Sequence, residues 1–71
     1  VPSKPGAVPD GRKIRYFRVR KYRTQRALAR ASGHSQKLIS TAESGRGNHS
    51  LAALCDIAEA LDVEVEEILA A

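Results

Sequence analysis

The chain has a single cysteine, no methionine and no basic residue beyond Arg46. One cysteine excludes an internal disulfide, and Cys55 reads as a small apolar residue of the core. With His34 and His49 it does not form the clustered pairs that zinc requires, so no metal site is expected. No run approaches the roughly 18 apolar residues of a membrane span. No signal peptide is visible, and a chain without an initiator methionine reads as trimmed, processed or a fragment. Period-2 alternation never lasts long enough for a strand, and there is no internal repeat. A Ser/His/Asp set, paired inward carboxylates and a phosphate-cradling glycine loop are all missing, since Gly45-Arg46-Gly47 is too short for the last. Neither an enzyme nor a cofactor is expected.

What is present is a polarised charge distribution on a short chain. Seventy-one residues make one small domain, which buries only about 60% of its unfolded surface and should be modestly stable. All 12 basic residues precede position 50, against two acids there (Asp10 and Glu43), a net +10. From Ser50 onward six acids face no base, a net −6. Such a domain suits a polyanion on one side and solvent or a partner on the other.

In chain order, residues 1–9 hold three prolines and a glycine and read as a disordered arm or linker preceding a domain at 10–71. Asp10 can cap a first helix running to about Lys21, with Ile14, Phe17 and Arg18 inward. Arg12, Lys13, Arg15, Arg20 and Lys21 are many like charges for one helix, and nearby phosphates would make them favourable. Tyr16 reads as a packing or surface residue.

The stretch Thr24 to Gly45 carries the organisation. Thr24 caps a second helix with Leu28 and Ala29 on its inner edge. Ser32-Gly33-His34 ends it, Gly33 being the residue best able to take φ > 0. Ser35 caps a third helix in which Ile39, Ala42 and Glu43 share one face, while Gln36, Lys37, Ser40 and Thr41 occupy the other. This is a helix-turn-helix pattern, whose second helix enters a DNA major groove. After a polar loop, Ser50 caps a fourth helix with an apolar stripe of Leu51, Leu54, Ile57, Ala58 and Leu61. Asp62-Val63 ends it. Val63, Val65, Ile68 and Leu69 belong to a short fifth helix, with Glu64, Glu66 and Glu67 at its dipole-positive end. The expected architecture is all-α: five helices around one core.

At these residues the sequence resembles the Cro/repressor, or XRE, helix-turn-helix family. The resemblance rests on Ile14-Arg15 with Arg18, Thr24-Gln25, Leu28-Ala29, Gly33, Ser35, Ile39-Ser40, Glu43 with Gly45, Asn48 with Ser50-Leu51, Leu54, Ile57-Ala58, Ala60-Leu61, Val63 and Ile68-Leu69. It covers about residues 11 to 70 without a gap. It implies a five-helix, lambda-repressor-like domain in which Gln36, Lys37 and Thr41 read base edges. It implies phosphate contacts from Gln25, Ser35, Ser40, Arg46 and Asn48, with Gln25 also bracing Gln36. Arg18 and Glu43 match the family's internal ion pair, tying the first helix to the end of the third. Lys37 suits guanine or a phosphate equally, and Leu38 suits packing or a thymine methyl.

Several positions depart from the family pattern. Tyr22 and Arg23 replace a usual glycine and apolar residue. Tyr22 would be awkward in a left-handed conformation, and Arg23 can swing out to phosphate. His34 replaces a buried aliphatic, Ala42 is smaller than usual, and His49 stands where proline is frequent. The expected function is sequence-specific binding of a double-stranded operator by a transcriptional repressor of phage, plasmid or chromosomal type, in the bacterial cytoplasm or on the nucleoid. A rival reading is an antitoxin or other protein-binding regulator using the acidic half. Ile68 and Leu69 suggest a homodimer through helix five, with monomeric binding as the alternative.

Overall fold

The computed structural model describes residues 6–46 and 49–70. Its four α-helices are α1 (Gly11–Lys21), α2 (Gln25–Ser32), α3 (Gln36–Glu43) and α4 (Leu51–Leu61). Each begins where a side chain takes up free N–H groups. Asp10 accepts from the amides of Arg12 and Lys13. Thr24, Ser35 and Ser50 accept from Ala27, Leu38 and Ala53 at 3.0–3.1 Å. These groups would otherwise be orphaned at a helix start. Gly33 ends α2 at φ 77°, and the His34 amide returns to the Ala29 carbonyl, closing the tight turn into α3.

The core draws on all four α-helices and on Ile68 near the end of the chain. Ile14, Leu28, Ile39, Leu54, Ile57 and Ile68 are fully buried, each worth about 1.5–3 kcal/mol of transfer free energy. The helix-turn-helix pair α2–α3 thus stands on α4 and α1, a platform that fixes the direction of α3.

The predicted fifth helix is a single 3-10 turn, Val65–Ile68. Four residues between two extended flanks are too few to nucleate an α-helix. Ile68, expected with Leu69 at a dimer contact, is fully buried and closes the core of its own chain. It has no surface to offer a partner.

The expectation of a disordered arm over 1–9 is corrected at its inner end. Gly6–Ala7 (β1) pairs antiparallel with His49–Ser50 (β2), in the register Gly6 with Ser50 and Ala7 with His49. Pro9 bridges Leu69, and the Ala70 and Asp10 amides donate to the Val8 and Ile68 carbonyls. Two-residue strands leave no alternation to read, because their pairing is between backbones that only the fold brings together. Val1 to Pro5, including Lys4, lies outside the described residues.

Two further readings of α4 change. Leu51 is 46% exposed, and Ala53 takes its place in the buried stripe. Cys55 is exposed rather than in the core. A helix turns 100° per residue, so with Leu54, Ile57, Ala58 and Leu61 inward, position 55 falls outward beside Glu59.

Candidate nucleic-acid interface

Helix α3 presents two chemically distinct faces. Ile39 and Ala42 are fully buried, while Gln36, Lys37 and Ser40 are exposed and Leu38 and Thr41 are half-buried. Gln36 opens the helix directly after the Ser35 cap. The Ser35 hydroxyl oxygen accepts the Leu38 amide at 3.1 Å, which leaves its proton free for an outside acceptor. The Thr41 hydroxyl donates to the Lys37 carbonyl at 2.8 Å. Its proton is thereby used within the helix, and what Thr41 offers outward is an acceptor and a methyl group. Leu38 packs against the core, so it belongs to the underside of the helix.

The end of α3 is held by Glu43. One carboxylate oxygen accepts from Arg18 Nε at 2.5 Å, with both side chains more than nine-tenths buried. The other oxygen accepts from the Gln25 amide nitrogen at 3.2 Å. Arg18 also donates to the Arg23 carbonyl. One carboxylate therefore ties together α1, the start of α2 and the end of α3. Gln25, expected to brace Gln36, instead binds Glu43. Its second amide proton and its carbonyl oxygen remain available. Among the described residues every buried side-chain polar atom has a partner, as a charge group at this depth requires.

Gly11 was not singled out from the sequence. A Cβ built there would lie 2.1 Å from the Glu43 carbonyl oxygen and 2.8 Å from the Gly45 nitrogen. The backbone of α1 rests directly on the end of α3. The available signal was a glycine in the first turn of a helix, where it is a poor helix former and so needs another reason to be there.

Three of the departures, Tyr22, His34 and His49, find hydrogen-bond partners in the fold. Tyr22 is extended at φ −125°, avoiding the left-handed conformation, and its hydroxyl donates to the Ala60 carbonyl at 3.0 Å. Arg23 beside it is exposed. His34, in the turn, donates through Nε2 to Asp56 on α4 at 2.9 Å. His49 is buried, and its Nε2 donates to the Arg46 carbonyl at 3.1 Å, which fixes the exit from α3 and leaves the Arg46 side chain exposed. Asn48 lies outside the described residues. At the far end of α1, Lys21 pairs with Asp62, and that hydrogen bond raises the Lys21 pKa above its ordinary value.

Two short helices joined by a glycine turn, with a buried inner face and a polar outer face on the second, define a helix-turn-helix DNA-binding domain. The chain matches the family described as "Helix-turn-helix domain" over residues 11–71. It belongs to that family, among the DNA-binding transcription regulators of Cro/repressor (XRE) type. It is similar to the restriction-modification controller protein C.AhdI from Aeromonas hydrophila, with 35% identity and a TM-score of 0.74 over 80% of this chain and 86% of that one. It is also similar to the hypothetical transcription factor NHTF from Neisseria, with 29% identity and a TM-score of 0.74 over 99% of this chain and 86% of that one. No curated protein matches the chain. Among the described residues no helix is long and apolar enough to cross a membrane.

Proposed function

We propose that the protein binds a specific duplex DNA sequence and represses transcription by occlusion, with α3 lying in the major groove where polymerase would need access. The observation that carries this reading is the bare polar face of α3. Gln36, Lys37 and Ser40 are solvent-exposed on a helix whose opposite face is anchored in the core by Ile39 and Ala42. Gln36 is suited to adenine, whose N6 and N7 match an amide donor and acceptor together. Lys37 supplies a donor to guanine or to a phosphate. Thr41, its proton already committed to the Lys37 carbonyl, suits a base-edge donor or a thymine methyl.

Around this face, Arg23, Gln25, Ser35, Ser40 and Arg46 supply phosphate contacts that set register and orientation, a role the family resemblance extends to Asn48, which lies outside the described residues. Gln25 donates one proton to Glu43 and directs the other to the DNA backbone. The two similar structures, a restriction-modification controller protein and a hypothetical transcription factor, support regulation of transcription as the setting, with the protein acting in the bacterial cytoplasm. The test is selection of tight binders from a random duplex pool. Enrichment of one sequence is expected, and the symmetry of the selected site reports whether one or two copies bind. Failure to enrich any sequence would overturn the reading.

A further inference from the structure

The two-stranded pair of Gly6–Ala7 with His49–Ser50 lies beside the loop that leaves α3. His49 is the residue that joins the two. It is buried, and its Nε2 donates to the Arg46 carbonyl at 3.1 Å. The Arg46 amide returns to the Thr41 carbonyl at 3.2 Å, while the Arg46 side chain is exposed. The backbone of Arg46 is thus held from two directions, by α3 and by the His49 ring.

His49 is itself held through its backbone, opposite Ala7 in the pair. The other end of that segment is fastened to the core. The Ala70 amide donates to the Val8 carbonyl at 3.0 Å, and the Asp10 amide donates to the Ile68 carbonyl at 2.8 Å. Pro9 bridges Leu69, and Ile68 is fully buried. Residues 6–10 therefore run as a strap from Ile68 to His49. One line of contacts leads from the core, along the strap and through the His49 ring, to the backbone of Arg46.

We propose that this strap is a positioning element for DNA binding. It holds His49, and through His49 the backbone of Arg46, so that the guanidinium meets its phosphate without the loop having to be ordered first. The proposal rests on the reading of Arg46 as a phosphate contact. An arginine loses rotamer freedom when it settles on a partner, and a backbone fixed in advance leaves less to be ordered on binding. Phosphate contacts set affinity and orientation but carry no sequence information directly. What the strap contributes is therefore the same for every sequence, and it acts without touching the DNA.

The experiment is a double-mutant cycle, read by fluorescence anisotropy on the selected duplex. It compares the whole chain, a variant lacking residues 1–7, Arg46→Ala, and the two changes combined. The deletion keeps the Asp10 cap and the bonds of Val8 and Asp10 to the end of the chain. It should weaken binding about threefold to tenfold, by the same factor on the best site and on its single-base variants. It should also flatten the salt slope by up to about 0.9, the share of one phosphate. In the Arg46→Ala background the deletion should change affinity by less than about twofold, since nothing is left to position. Gly6→Pro with Ala7→Pro removes the amides that β1 brings to the pair without shortening the chain. It should reproduce the deletion, and it replaces it in the cycle if urea melts show the shortened chain unfolded. Replacing residues 1–5 with glycine and serine keeps β1 and should leave affinity unchanged.

A deletion that binds as tightly as the whole chain overturns the proposal. So does a deletion that weakens both backgrounds by the same factor, which would mean that the segment acts independently of Arg46. A loss on replacing residues 1–5 also overturns it, by assigning a direct DNA contact to that stretch. Enrichment of no sequence by the whole chain would instead overturn the reading of α3 beneath it.

Discussion

Gly11 and Glu43, thirty-two positions apart in the chain, meet backbone to backbone: a methyl group on Gly11 would sit 2.1 Å from the Glu43 carbonyl oxygen. The start of α1 and the end of α3 are separated by less than a side chain. The orientation of α3, and with it the direction of its exposed face, depends on that close approach.

Gly11→Ala should therefore destabilise the domain, by about 1–3 kcal/mol, the range for overpacking a fitted contact. A glycine-to-alanine change in an unobstructed helix would stabilise by about 0.4–1 kcal/mol, so the two effects differ in sign. Urea melts decide between them, and a stabilised variant would show that the helices can separate freely.

Glu43→Ala should lower stability by about 3–5 kcal/mol. It leaves the buried Arg18 guanidinium without its counter-charge and releases the Gln25 amide, and an unpaired buried charge is among the largest single-residue penalties known. The same substitution at an exposed acid such as Glu66 should change stability by less than about 0.5 kcal/mol. Equal urea midpoints for the two variants would refute the tie between α1, α2 and α3.

DNA affinity should fall steeply with salt. About five phosphates neutralised by the basic part of the chain give a slope of about −4.5 in log affinity against log salt. Fluorescence anisotropy across a salt series measures this directly. A slope flatter than about −1 would mean that the basic part of the chain is not at the DNA.

Gln36→Ala should lose about 1–3 kcal/mol on the best site and relax the preference at one base pair. Gln25→Ala should weaken binding to all sequences by a similar factor, because helix α2 crosses the phosphate backbone rather than the base edges. Measuring both variants against every single-base change of the selected site separates the two roles. An unchanged preference profile for Gln36→Ala would show that α3 does not read bases through this residue.

The helices and their limits were legible in the sequence because their causes are local. Asp10, Thr24, Ser35 and Ser50 cap their own first turns, Gly33 takes the left-handed turn, and apolar spacing assigns the inner faces of α2 and α3. The Arg18–Glu43 pairing was suggested by resemblance, and its burial became visible only in the fold. What local pattern could not decide were relationships between distant segments. Glycine at position 11 shows its purpose only once Glu43 is packed against it. Cys55 and Leu51 belong to one helix, yet which of their neighbours turns inward depends on where α4 meets the rest of the core. The pairing of Gly6–Ala7 with His49–Ser50 uses backbone groups that every residue possesses, so no side-chain pattern announces it. The destination of Gln25, Glu43 rather than Gln36, was likewise set by tertiary structure, because an amide has partners within reach in several directions and only the packed helices select among them.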